Sequence, residues 1–331
     1  MANLTPKIVV IGGGTGTFTV LSALKNYASE ITAIVNMIDD GGSTGILRDE
    51  LGVLPPGDVR QCLVALSRSS DTMRELFNYR FGEGTFQGHA FGNLFLTALE
   101  KTTGSFAHAV ATAGDVLDIV GRVVPVTLTD SHLVLTQDDG SEVVGEFDIS
   151  SRVFTSTEPP RLSLIPAAAL NPVAREAIMD ADIVVIAPGN LYGSLVPALI
   201  VDGMPQALQE TNAKIVYITN LVTKPGQTDG FKVHDYVREI ERFVGRGVLD
   251  NVFYNRHKPN PKLLERYAKD GEYWVESDQS VFETATYDAT GVNLVADQIH
   301  VQNPNDKMIE RTLIRHDSDR VARLIMRLYF S

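Results

Sequence analysis

Apolar residues in this chain come in short, solid runs that stop at glycine-rich polar loops. The runs at 8–11 (Ile-Val-Val-Ile) and 31–35 (Ile-Thr-Ala-Ile-Val) flank a stretch of helical spacing at 18–27. Such runs mark strands buried on both faces, and two of them joined by a helix predict a parallel βαβ unit. Further runs at 183–187 and 215–219, each meeting a polar loop with glycine at its C-terminal end, continue the alternation.

Between these halves the pattern turns helical. Helices are predicted at 59–67, 71–81 and 94–102, with Pro55-Pro56-Gly57 breaking the chain and Asp58 standing as N-cap of the first. Residues 122–149 alternate instead, through Val124, Val126 and Leu128, and Gln137-Asp138-Asp139-Gly140-Ser141 separates two β-rich runs, which predicts an inserted β-hairpin. At 319–329 the stripe Val321, Leu324, Ile325 and Leu328 lies opposite Arg320, Arg323 and Arg327, as in a helix packed on the body. No repeat, low-complexity tract or Pro-rich linker interrupts the chain. The expected architecture is one α/β domain over 1–331: a Rossmann-like, mostly parallel sheet with helices on both faces, a helical middle region and a β-hairpin insertion at about 122–149.

Composition narrows the function classes. With 331 residues, 44% hydrophobic and 21% charged, the chain can bury a sizeable core and is not a disordered protein. The balance of 41 acidic against 29 basic residues, net −12, without a run of Lys and Arg, argues against nucleic acid as a partner. Cys62 is alone, forms no internal disulfide and reads as a small core residue. No apolar stretch is long enough to span a bilayer, and the N-terminal residues lack the charged and apolar regions of a signal peptide, so no membrane insertion and a cytoplasmic location are expected.

The candidate chemistry lies in the loops. After the first strand comes Gly12-Gly13-Gly14-Thr15-Gly16-Thr17, where missing side chains let a phosphate approach the backbone N–H groups that open the next helix. The regular dinucleotide fingerprint wants a third glycine at Thr17, and no Lys-Ser or Lys-Thr pair follows for a P-loop. The simpler reading is a tight strand-to-helix turn; the phosphorylated ligand is favoured by the strand–loop–helix context. The second strand ends in Asp39-Asp40-Gly41-Gly42-Ser43-Thr44-Gly45. Its carboxylates are placed to accept hydrogen bonds from a ligand hydroxyl, to hold a hydrated Mg²⁺, or merely to cap a turn. An EF-hand is excluded because Thr44 stands where glycine is required.

Three later loops repeat this logic. Ala187-Pro188-Gly189-Asn190-Leu191-Tyr192-Gly193-Ser194 offers a second phosphate contact or a helix cap through Asn190 or Ser194. In Gly88-His89-Ala90-Phe91-Gly92-Asn93, Asn93 is suited to a base or sugar edge and His89 to proton donation, whereas a lone histidine is more often structural. After the run at 215–219, Asn220 and Lys224 add an amide and a point charge for phosphate. Arg315-His316-Asp317 lies either over the ligand mouth or, as favoured here, at the cap of the last helix through Asp317 or Ser318. No histidine lies three or four residues from another, no cysteine cluster exists, and no Gly-x-Ser-x-Gly elbow occurs, so zinc and serine-hydrolase chemistry lack support.

Taken in order, Gly12-Gly-Gly-Thr-Gly16, Asp39-Asp-Gly-Gly-Ser43, Val53-Leu-Pro-Pro-Gly-Asp-Val-Arg60, Gly88-His-Ala-Phe-Gly-Asn93, Ala187-Pro-Gly-Asn-Leu-Tyr-Gly-Ser194, Lys224-Pro-Gly-Gln-Thr-Asp-Gly230 and Ile314-Arg-His-Asp317 resemble the YvcK-like gluconeogenesis factors of bacteria. That group is similar in fold to the archaeal 2-phospho-L-lactate transferase CofD, and the resemblance covers nearly the whole chain. It implies a UDP-sugar such as UDP-N-acetylglucosamine, or another nucleoside-diphosphate ligand, and a regulatory link to carbon metabolism, cell shape and envelope synthesis. By position it implies diphosphate contacts at Gly13, Gly14, Thr15, Gly16, Gly189, Asn190 and Ser194. Asp40, Gly42, Ser43, Asn93, Asn220, Lys224 and Arg315 would complete the site. Asn190, Gly193 and Phe91 depart from the serine, threonine and leucine expected of the bacterial group. A regulator of this kind needs no cofactor. The alternative implied is a transferase with Asp39 and Asp40 as catalytic or Mg²⁺-binding residues; an NAD-dependent oxidoreductase ranks third, for want of the third glycine. Homo-oligomerisation is left open.

Overall fold

The computed structural model describes residues 5–154, 158–296 and 314–331. Among the described residues ten strands form in chain order: β1 (Lys7–Gly12), β2 (Glu30–Val35), β3 (Arg122–Pro125), β4 (His132–Thr136), β5 (Glu142–Val144), β6 (Arg161–Ile165), β7 (Ile183–Ile186), β8 (Lys214–Ile218), β9 (Asn251–Asn255) and β10 (Asp288–Val292). Seven of them make one parallel sheet in the order β10-β9-β8-β7-β1-β2-β3, and β5-β4-β6 make a separate antiparallel sheet. The solid apolar runs are the central strands. Ile8 pairs with Ile31 on one side and Ile183 on the other, and residues 8–11 are at most 2% exposed, as strands covered on both faces must be.

The chain runs outward from β1 to β2 and β3, returns to lay β7 against the free side of β1, then runs outward again through β8, β9 and β10. The direction of winding therefore reverses between β1 and β7. Loops leaving neighbouring strands in opposite directions open a crevice at their C-terminal ends, where ligands of such sheets bind. Helices close the sheet: Gly14–Leu24 packs on both Gly57–Leu66 and the C-terminal Ser318–Phe330. Cys62 is fully buried in this core.

Several boundaries differ from expectation. The first helix begins at Gly14, a turn ahead of residue 18, so the glycine loop is itself the helix start. The helix Gly57–Leu66 carries Asp58 in its first turn and has no side-chain cap, so Asp58 is not the N-cap. The helix expected at 71–81 stops at Asn78, because the chain turns into an antiparallel bridge between Arg80 and Ala90. Arg122–Pro125, read as the start of the hairpin, pairs instead with β2 as the sheet edge. The hairpin proper is β4–β5, and β6 adds a third strand on its other side. Leu133, Leu135, Val143 and Ile149 bury a small core against Ile38, which fixes this unit over the loop that follows β2. At the C-terminus Asp317 caps Ser318–Phe330, accepting from Arg320 N–H at 2.9 Å. Among the described residues no helix is long and apolar enough to cross a membrane.

Candidate functional site

The loops after β1 and β7 are pressed together at the winding reversal. A Cβ on Gly16 would lie 1.7 Å from the carbonyl oxygen of Pro188, so only glycine permits this approach. Gly14, at φ +65°, opens the helix with no side-chain cap from Gly13. A carboxylate already stands over this opening. A Cβ on Gly13 would lie 2.1 Å from Asp58 Oδ2, and Gly14 N–H donates to Asp58. The N-terminal pole of the helix thus already has a carboxyl group of the same chain over it.

Asp58 is not alone. Asp39, Asp40 and Glu146 converge on the same crevice, the last from the short helix Glu146–Ser150 of the inserted unit. Burial, then the charges of Asp39 and Glu146, push the Asp58 carboxyl up to about 8, against the opposing pull of Gly14 N–H and Arg60. Burial pushes Glu146 up to about 7, opposed by its hydrogen bond from Ser150 and reinforced by Asp39 and Asp40, with Lys224 pulling the other way. Burial raises Asp39 as well, although Gly41 N–H and Thr44 hydrogen-bond to it. Asp40 has a different role: its carboxylate accepts Glu146 N–H at 3.0 Å and Phe147 N–H at 2.8 Å, tying the inserted unit to the β2 loop.

Asp39 and Asp40 differ in their surroundings. Asp40 spends both oxygens on backbone N–H groups, Asp39 takes Gly41 N–H at 3.0 Å, and among the described residues no group of three or more His, Cys, Asp or Glu is placed to hold a metal ion.

Ser43 and Asn93 are brought together by the fold. Ser43 Oγ lies 3.0 Å from His89 Nδ1 and accepts from Asn93 Nδ2 at 3.4 Å, while Asn93 Oδ1 accepts from Arg60 Nε at 3.0 Å. Arg60 also donates to Asn78. This chain of polar groups joins the β2 loop to three helices of the middle region. Gly42, at φ +48°, starts the helix Gly42–Leu51 that carries Ser43.

Past β7, Asn190 Oδ1 caps the turn by accepting from Gly193 N–H at 3.3 Å, and its Nδ2 donates to Ser150 Oγ at 3.1 Å. A Cβ on Gly193 would lie 2.2 Å from Ser150 Oγ and 2.3 Å from Glu146 Oε1, so the glycine found here in place of the expected threonine makes room for the inserted helix. Ser194 N–H bonds the carbonyl of Asn190 within the same turn. Asn220 joins the β8 loop to the β7 loop: its Nδ2 donates to the Gly189 carbonyl at 2.7 Å and its Oδ1 accepts Gly189 N–H at 3.3 Å. Lys224 lies within electrostatic reach of Glu146.

Arg315 lies between β10 and the C-terminal end of β8. Its carbonyl accepts Ala296 N–H beside β10, and the neighbouring His316 bonds the Thr219 carbonyl through Nε2 at 2.9 Å. Burial lowers His316 to about 4, so it is a neutral structural donor. Sequence reasoning missed Asp58 as a site residue and missed Glu146 and Ser150 altogether. Asp58 carried a misleading local sign, an acid after Pro-Pro-Gly, and the position of Glu146 depends on where the inserted unit docks.

The chain matches the family described as 2-phospho-L-lactate transferase CofD over residues 8–299. A Thermotoga maritima protein is 43% identical over 97% of this chain and 99% of its own length. The protein of Bacillus subtilis named gluconeogenesis factor is 36% identical over 98% of each chain. The crystal structure of a UPF0052 family member from Bacillus halodurans superposes with a TM-score of 0.88 at 33% identity, covering 98% of this chain and all of that one.

Proposed function

The chain belongs to the CofD family, and from that membership and the loop geometry we propose that it binds a UDP-sugar at the β1–β7 reversal and serves as a cytoplasmic gluconeogenesis factor. Occupancy by UDP-N-acetylglucosamine or a similar ligand would report sugar-nucleotide supply to carbon metabolism, cell shape and envelope synthesis. The name carried by the Bacillus subtilis relative supports the physiological half of this reading. The observation that carries the ligand half is the convergence of two glycine-bearing loops, shown by the 1.7 Å approach that Gly16 permits to Pro188, in a crevice lined by carboxylates and by Lys224. Glycine backbone, amide and carboxylate acceptors together suit a ligand with phosphate at one end and hydroxyls at the other.

The test is calorimetric titration with UDP-N-acetylglucosamine, with GDP, NAD and NADP as comparators, with and without Mg²⁺. Selective binding of the UDP-sugar without turnover on prolonged incubation is expected; selective NAD binding would overturn the reading. One observation favours a second one, transfer of a phosphorus-containing group from a nucleoside-diphosphate donor to an acceptor hydroxyl: the hydroxyl oxygen bonds to phosphorus, the bond from that phosphorus to the nucleoside monophosphate breaks, and the hydroxyl proton passes to a base. Glu146, raised to about 7 in the crevice, has the proton affinity of a general base at neutral pH. Preference for GDP in binding, with release of GMP from a guanosine-diphosphate donor only when an acceptor alcohol is present, would establish it, and Glu146→Gln should then abolish turnover while leaving GDP bound.

A further inference from the structure

Arg60, Asn93, Ser43 and His89 form a chain of hydrogen bonds whose direction is set at one end. A guanidinium can only donate, and Arg60 Nε meets Asn93 Oδ1 at 3.0 Å, which fixes that atom as the amide oxygen. Asn93 Nδ2 is therefore the donor toward Ser43 Oγ, at 3.4 Å. The Ser43 hydroxyl has one proton of its own, and among the described residues the acceptor it meets is His89 Nδ1, 3.0 Å away. Arg60, Asn93 and Ser43 are all buried, so these groups meet one another rather than bulk water. With Nδ1 accepting, the ring proton of a neutral His89 sits on Nε2. That nitrogen makes no hydrogen bond among the described residues and is open to solvent. The backbone holds the residue in place: His89 N–H donates to the Phe86 carbonyl at 2.9 Å, and the His89 carbonyl accepts Phe81 N–H at 3.0 Å. Ser43 is followed by Thr44, whose side chain hydrogen-bonds Asp39, and Asp39 acts in turn on Asp58 over Gly13. His89 thus stands on the β2 side of the crevice, beyond the glycines at which phosphate would seat.

We propose that His89 presents Nε2–H as a fixed, uncharged donor to an oxygen of the sugar that follows the diphosphate, and that Arg60 and Asn93 are positioning residues that set this polarity. This rests on the reading of the site given above and adds a specificity-determining residue to it. By that reading the phosphates lie on the glycine loops and the hydroxyl-bearing end projects toward the β2 loop. A hydroxyl both donates and accepts, so a surface that offers carboxyl groups together with one fixed N–H suits a sugar, whereas phosphate is all acceptor and favours charged donors. Asn93, only 3% exposed and engaged at both ends of its amide, acts through His89.

The experiment has two parts, both on the full chain. NMR of the imidazole nitrogens at about pH 8 reads the tautomer in the ligand-free protein, with His89 assigned among the seven histidines by its absence from His89→Gln. Expected is the Nε2–H form in wild type and the Nδ1–H form in Asn93→Asp, where a carboxylate oxygen replaces the amide nitrogen, Ser43 turns to donate to it, and His89 must donate to Ser43. An Nδ1–H ring in wild type, or an unchanged ring in Asn93→Asp, would overturn the relay. Calorimetric titration then compares UDP-N-acetylglucosamine with UDP. His89→Gln places an N–H near the Nε2 position and should bind the UDP-sugar within about twofold of wild type; His89→Asn places its amide near Nδ1 only and should lose about tenfold, the worth of one hydrogen bond. Equal losses in both His89 variants, or none in either, would overturn the donor, and an equal loss for UDP in His89→Asn would overturn its assignment to the sugar. If the wild-type chain binds no UDP-sugar, the proposed function falls and takes the ligand contact with it, while the relay stands or falls by the tautomer of the free protein.

Discussion

Asp58 shows how one side chain can mislead a reader of sequence. An acid after Pro-Pro-Gly at a helix start is the ordinary sign of an N-cap, yet its carboxylate is turned to the Gly14 N–H of another helix, a contact that only the packed fold creates. Ser43 could be placed near the second strand because its loop follows that strand directly, whereas its contact with Asn93, in the helix Phe91–Thr103, depends on packing between distant segments. The surroundings of Asp58 make its pH behaviour testable. Its carboxyl is raised from 3.8 to about 8 in the folded chain, so the folded state keeps a proton that the unfolded chain releases. That contribution is full below about pH 4 and is lost as pH rises toward 8. Asp58→Asn should therefore raise stability over wild type more at pH 8 than at pH 5, by at least about 1 kcal/mol in denaturant melts; an equal effect at both pH values would refute the shift. His316 has the opposite sign. Lowered from 6.5 to about 4, it contributes stability that is present above pH 6.5 and lost as pH falls toward 4, up to roughly 3 kcal/mol. His316→Gln, which keeps a donor for Thr219, should remove that acid-side slope in thermal melts between pH 6.5 and 4.5.

At the scale of elements, the buried strands were legible and the edges were not. Runs such as Ile-Val-Val-Ile are unambiguous when both faces are covered, but Val124 and Val126 alternate equally well in a hairpin or at a sheet edge, and long-range pairing with β2 decides between them. The short β9 and half-buried β10 gave no such run and went unread. The inserted unit depends on Asp40, whose two oxygens hold the N–H groups of Glu146 and Phe147 at the start of the helix Glu146–Ser150. Asp40→Ala should cost about 1–2 kcal/mol, in the range of a lost helix cap. Amide hydrogen exchange should quicken in residues 132–150 while β1, β2 and β7 stay protected; uniform loss of protection would mean that the unit and the main sheet open together. The neighbouring contact sets a steric test. Gly193→Ala places a methyl group where Ser150 and Glu146 now lie and should loosen the same helix without touching Asp40.

The order of the whole sheet could not be read from the sequence, because hydrophobic runs announce strands without saying which lie side by side. Once β7 lies against β1, the crevice follows from winding alone, and loops separated by more than 170 residues become neighbours, as Gly16 and Pro188 do. A ligand spanning that crevice must therefore stabilise the molecule from both sides of the reversal. At a free concentration 100 times its Kd, a UDP-sugar adds about 2.7 kcal/mol to the folded state, which is read as a rise in melting temperature. Hydrogen exchange locates the gain. UDP-N-acetylglucosamine should protect both the β2 loop at 36–45 and the β8 loop at 219–230. Protection confined to one side would show that the sheet halves bind separately rather than as one site.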